Sequence, residues 1–194
     1  KAAIKSEKKV VKLKPKFAEG HLLLAVAYRS TGSLKKALRH AKKSAKLAPK
    51  MLPPLMTLAG VYAEQRKLKK ALSTLKKAEK IAQGLKRGYE TVAAAYTLLG
   101  AGKEAVALYK KLIKADAKHP TAHTALSNLY MLMSKPKLAK THALKARDLQ
   151  PNSPDPHKVL GLIAAANKDC SGAEKELRKA VQLAPMAHDL RLAL

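Results

Sequence analysis

The sequence predicts an all-α fold, a solenoid of stacked antiparallel helix pairs, and three observations carry that prediction. Residue types recur with a period of 34 over the whole of the 194-residue chain. Each period holds two stretches whose apolar residues fall on one helical face, and short breaks rich in Gly and Pro separate those stretches. A fixed period of this length points to a repeat architecture, in which each unit buries its apolar face only by stacking on its neighbours.

The tyrosines show the period first, at Tyr28, Tyr62, Tyr96 and Tyr130, with Ala164 at the next step. An alanine column runs through Ala3, Ala37, Ala71, Ala105, Ala139 and Ala173. A small-residue column holds Ala25, Ala59, Ala93, Ser127 and Gly161, just after the apolar column Leu24, Leu58, Val92, Leu126 and Leu160. Prolines keep the register at Pro15, Pro49, Pro151 and Pro185, with Gln83 and Ala117 where two more would fall. In the first period, Leu24, Ala25 and Tyr28 make a face on which the small residue admits a second helix. Thr31-Gly32-Ser33 ends that helix, as Gly100-Ala101-Gly102 and Met133-Ser134-Lys135-Pro136 do later. Ala37, Leu38, Ala41, Ala45 and Leu47 form the second face, and Pro49 closes it. Helices are therefore expected near 18–31 and 34–48 and every 34 residues beyond, with no strand.

Small, Tyr, Ala and Pro columns in that order, at a period of 34, resemble the tetratricopeptide repeat. The resemblance covers essentially the whole chain: a half repeat over 1–17, full repeats over 18–51, 52–85, 86–119, 120–153 and 154–187, and the start of a sixth over 188–194. It implies a single array wound into a right-handed superhelix. The chain starts inside a second helix and stops inside a first helix, so a piece of a longer protein is expected. One departure is that the family's tryptophan column reads His21, Leu55, Tyr89, His123 and His157.

Charge is the most unusual property. Lys and Arg number 40 against 13 Asp and Glu, a formal net charge of +27. Basic pairs recur at Lys42-Lys43, Lys76-Lys77, Lys110-Lys111 and Arg178-Lys179, with Lys145 filling half of the column in the fourth repeat. All belong to second helices, which by the family resemblance line the outer, convex side. A basic ridge there would take a polyanion: an acidic polysaccharide, since arrays of this kind occur in polysaccharide export systems, or RNA, or anionic lipid headgroups. A solvated, solubilising helix face is the alternative, weakened by the shortage of balancing acids.

The same resemblance places Leu22, Val26 and Arg29, Met56, Gly60 and Ala63, Glu90, Ala94 and Thr97, Thr124, Asn128 and Met131, and Lys158, Leu162 and Ala165 in a concave groove. Most are small or apolar, which suits a helical or extended apolar segment of a protein partner, or else packing within a longer array. The leading expectation is a non-catalytic protein-interaction scaffold, with polyanion binding as the other reading.

Patterns for other chemistry fail. The longest apolar run, Leu22 to Tyr28, is far shorter than a membrane-spanning helix, and no secretory signal opens the chain. Cys170 is the only cysteine, expected to pack half-buried at a turn into a second helix, so neither an intrachain disulfide nor a Cys-based metal site is possible. Without tryptophan and with one phenylalanine, Phe17, there is little to stack nucleic-acid bases. Gly100-Ala101-Gly102-Lys103-Glu104 lacks both the first glycine and the final Ser/Thr of a phosphate-binding loop. Of seven histidines, five fall in two repeat columns, and His119 with His123 has metal-pair spacing but no third ligand nearby. The paired Lys and Asn of a carboxylate clamp are also missing; Thr124 with Asn128 comes nearest. No cofactor or metal is expected.

Overall fold

A computed structural model describes residues 2–85 and 87–185. The described residues form eleven helices: α1 Ala2–Leu13, α2 Ala18–Ser30, α3 Leu34–Leu47, α4 Leu52–Glu64, α5 Leu68–Ala82, α6 Gly88–Leu98, α7 Gly102–Ala115, α8 Pro120–Leu132, α9 Pro136–Leu149, α10 Pro154–Ala166 and α11 Cys170–Leu183. There is no strand among them. This is the all-α solenoid that the period predicts. The sixth repeat expected over 188–194 lies outside the described residues.

The chain divides into two compact units, residues 1–101 and 102–194. In the first, α2 packs on α3 and α4 on α5 as antiparallel pairs, each second helix also meets the next first helix, and α2 touches α4 and α4 touches α6. The second unit repeats the scheme with α8 on α9, α10 on α11, and α8 against α10.

One turn geometry ends every first helix. Gly32, Arg66, Gly100, Ser134 and Lys168, spaced by 34, all have φ between 55° and 71°. The residue after each donates its backbone N–H five positions back, Ser33 to Tyr28 O at 2.8 Å, Lys67 to Tyr62 O at 2.9 Å, Lys135 to Tyr130 O at 2.8 Å. This left-handed cap satisfies carbonyls that the helix end would leave bare and turns the chain into the second helix. Proline at the first or second helical position starts α4, α8, α9 and α10, where no N–H is needed.

The alanine column is the point of closest packing. Ala37, Ala71, Ala105 and Ala139 are wholly buried and Ala173 nearly so. Gly161 shows how tight the small column is, since a Cβ there would lie 2.6 Å from Leu177 Cγ. The junction between the second and third repeats departs locally. Gln83 replaces the closing proline, so α5 runs to Ala82, Gly84 turns the chain at φ 89°, and α6 starts only at Gly88, tucked against the carbonyl of Ala82.

Candidate functional site: two helix faces of opposite character

First and second helices differ sharply in charge. The six second helices (α1, α3, α5, α7, α9, α11) carry 26 Lys and Arg against 6 Asp and Glu. The five first helices (α2, α4, α6, α8, α10) carry 2 basic residues and 4 acidic ones. Lys42, Lys43, Lys76, Lys77, Lys110, Lys111, Lys145, Arg178 and Lys179 are all exposed. Arg178 spends part of its charge on Glu174, Nε to Oε1 at 2.8 Å.

None of the groove residues named from sequence is fully buried. Val26, Arg29, Ala94, Asn128 and Leu162 are exposed, and Leu22, Met56, Gly60, Ala63, Glu90, Thr97, Thr124, Met131 and Lys158 are half-buried. In the first unit Arg29, Gly60 and Ala63 line one cavity of about 210 Å³, together with Ala59, Ala95, Leu98 and Leu99. Arg29 reaches across from α2 to α4, where Nε donates to Glu64 Oε1 at 2.5 Å. Gly60 makes room for it: a Cβ there would be 3.1 Å from Arg29 Nη1. Leu22 lines a second cavity with Phe17, Met51 and Pro53. Glu90 pairs with Arg87 at 3.5 Å. In the second unit Thr124, Asn128 and Met131 lie on α8 and Lys158 and Leu162 on α10.

The histidines that stand where the family's tryptophan would be are structural anchors. His21, His123 and His157 are buried, and each donates from Nε2 to the carbonyl six residues back, Pro15, Ala117 and Pro151, at 3.1, 3.1 and 3.2 Å. That bond fastens the end of the preceding second helix to the new first helix. The other ring nitrogen meets the residue 19 positions on. His21 Nδ1 is 2.9 Å from His40 Nδ1 and His123 Nδ1 is 2.9 Å from His142 Nδ1, while His157 Nδ1 is 2.6 Å from Glu176 Oε2. With Nε2–H given to a carbonyl, the neutral His21 and His123 rings accept at Nδ1, and His40 and His142 donate. His40 and His142 also stack on Tyr28 and Tyr130, centroids 5.6 Å apart in both cases.

Burial pushes His40 down to about 4, and Arg39, His21, Lys43 and Lys8 add repulsion. His142 is pushed to about 4 by burial and then by His123, Lys145 and Lys110. His21 and His123 are lowered too, chiefly by burial, with their carbonyl partners opposing the shift. The spacing of 19 is the feature that reading the columns singly misses. Its signal was present, since an ionisable residue stands in the second column (His40, His142, Glu176) wherever the first holds histidine.

His119 is not half of a metal pair with His123. It caps α8, Nδ1 accepting from Ala122 N at 3.3 Å. Among the described residues no group of three or more His, Cys, Asp or Glu could hold a metal ion, and no helix is long and apolar enough to cross a membrane. Cys170 corrects its expectation: it is exposed, because α11 begins at that residue and Asp169 caps the helix through Gly172 N at 2.9 Å.

No protein-family model matches the sequence, and no curated protein does. Solved structures do. One described as YrrB, a TPR protein with an unusual peptide-binding site, is 18% identical over 98% of this chain and 97% of its own, with a TM-score of 0.65. The chain has the tetratricopeptide-repeat fold. PilW, described as a widely conserved type IV pilus biogenesis factor, aligns at 17% identity over 96% of this chain and 87% of its own, with a TM-score of 0.73. MamA from Desulfovibrio magneticus RS-1 aligns at 19% identity over 88% and 97%, with a TM-score of 0.68.

Proposed function

We propose that the chain is a non-catalytic scaffold whose first-helix face holds a segment of a protein partner, with both units belonging to one array of 34-residue repeats. The observation that carries this reading is the cavity over Gly60: small side chains from α4 and α6 leave room for a partner's apolar side chain, and the Arg29–Glu64 pair at its edge offers a polar anchor. That YrrB is described as having an unusual peptide-binding site is in keeping with it. The test selects peptides from a random display library and measures their affinity by fluorescence anisotropy. Ala63→Arg and Met56→Glu, both on α4, weaken the selected peptides at least about tenfold, while a rise in salt changes little, because burial of apolar surface is insensitive to screening. Unchanged affinity in both variants refutes the groove.

The charge division favours a second reading, in which the second-helix lysines hold a polyanion such as an acidic polysaccharide, RNA or the headgroups of an anionic lipid surface. The same basic columns return every 34 residues on successive second helices, so one extended polyanion could bridge several of them and release counterions at each contact. Replacing Lys42, Lys43, Lys76, Lys77, Lys110 and Lys111 by Glu should abolish binding of heparin or single-stranded RNA together with its salt dependence. If the parent binds neither at low salt, the lysines only keep the surface solvated.

A further inference from the structure

In the first repeat, the space between the ends of two successive second helices is filled by rings: His21 and His40 are buried there with centroids 5.2 Å apart. The second repeat has Leu55 and Thr74 in the same two columns. Both are smaller in reach than an imidazole, and Thr74 turns its hydroxyl back to the carbonyl of Lys70 at 2.8 Å. The space that the missing rings would occupy stays open as a cavity of about 260 Å³ between α3 and α5, floored by Leu55 and Leu58 and walled by Pro49 and Thr74. Two further lining residues, Lys46 of α3 and Lys77 of α5, are exposed lysines from opposite sides of it.

We propose that this cavity is a binding site for a small aromatic anion, a ring system of one or two fused rings bearing a carboxylate or sulfonate. The rings would take the place of the two imidazoles that fill the equivalent space in the first repeat. The floor is apolar, since Leu55 and Leu58 are buried core residues, so a flat hydrocarbon seated there takes its own surface out of water. The anionic group would stay at the rim between Lys46 and Lys77, partly solvated, so no charge is buried. The site is separate from the first-helix face. It shares Lys77 with the polyanion reading but does not depend on it.

The probes are 8-anilinonaphthalene-1-sulfonate and its uncharged relative N-phenyl-1-naphthylamine, followed by fluorescence on the full chain. The sulfonate should show a saturable component of one site per chain. Leu55→His with Thr74→His rebuilds the ring pair that the same columns hold in the first and fourth repeats, and should remove that component. Leu55→Tyr with Thr74→Leu, which copies the third repeat, is the second filled variant should the first not fold by circular dichroism. Lys46→Gln with Lys77→Gln should weaken the sulfonate about tenfold, as two rim charges allow, and leave the uncharged probe unchanged. The filled variants keep every lysine, so their heparin binding should equal the parent's, which separates this site from the polyanion surface. Binding of the sulfonate undiminished in a folded filled variant overturns the site. Equal binding of both probes, indifferent to Lys46 and Lys77, overturns the anion as its ligand.

Discussion

Mild acid should destabilise this protein, and the two histidine pairs set how steeply. Neutral His40 donates Nδ1–H to His21 across 2.9 Å, so a proton added to His21 puts N–H against N–H, while one added to His40 goes to Nε2, which faces Arg39 Nη2 at 3.4 Å. His123 accepts from His142 in the same way across 2.9 Å, so a proton added to His123 has the same effect. A histidine lowered to about 4 in the folded chain and titrating near 6.5 when unfolded binds more protons in the unfolded state between those values. Stability is therefore full above the unfolded value, falls as pH drops below it, and stops falling once the folded rings also protonate near 4. Integrating that difference gives a loss of about 2 kcal/mol per ring from pH 7 to pH 5, so about 4 kcal/mol for His40 and His142 together. That is a large part of an ordinary domain's stability. The assay is urea unfolding at pH 7, 6 and 5, followed by circular dichroism. A variant with His21→Leu, His40→Thr, His123→Leu and His142→Thr copies the second repeat at both pairs. It should be weaker at pH 7, where it loses buried rings, yet lose about 4 kcal/mol less on going to pH 5. If parent and variant share the same pH slope, the rings are not the groups that titrate and the reasoning fails.

Further outcomes follow from local geometry. Arg66, Ser134 and Lys168 hold φ of 58°, 55° and 61° where Gly32 and Gly100 stand in other repeats. Changing each to Gly should raise stability by roughly 1 kcal/mol, read from the urea midpoint, since a side chain is strained in that region. The hydroxyl of Ser127 is buried without a hydrogen-bond partner, and its column holds Ala in three other repeats. Ser127→Ala should therefore stabilise by about 1 kcal/mol, and a loss would mean that the hydroxyl is satisfied after all. Ala71→Leu and Ala105→Leu overfill wholly buried positions and should each cost about 1–3 kcal/mol in the same assay.

Much of the fold was legible because each column does one physical job. The Tyr and Ala columns mark burial, and the Gly, Pro and Ser breaks mark turns, so helix positions followed to within two residues. The largest offset is at the junction of the second and third repeats, where α5 runs to Ala82 before Gln83 and α6 starts at Gly88, two residues later than expected. The second helix was expected to start at 170, as α11 does; what failed was the burial expected of Cys170, because the first residue of α11 sits on its exposed side. Contacts between columns were not legible from a single column. Arg29 to Glu64 spans 35 residues, and each histidine pair spans 19, distances set by how one helix lies against another rather than by the helical period.

The placement of charge bears on how the two faces can work at once. Like charges on successive second helices repel through salt that damps the repulsion without abolishing it, so it opposes stacking. Distributing 26 basic residues over all eleven helices would weaken it at little structural cost, yet the first helices carry only Arg29 and Lys158. Arg29 is moreover held by Glu64. In the scaffold reading proposed above, a nearly neutral first-helix face would leave the cavity over Gly60 to an uncharged segment, whose affinity would owe little to salt. Keeping the lysines on the other helices makes any anion that they hold sensitive to salt. Ionic strength would then release one class of ligand and retain the other, a separation that a uniformly basic surface could not give.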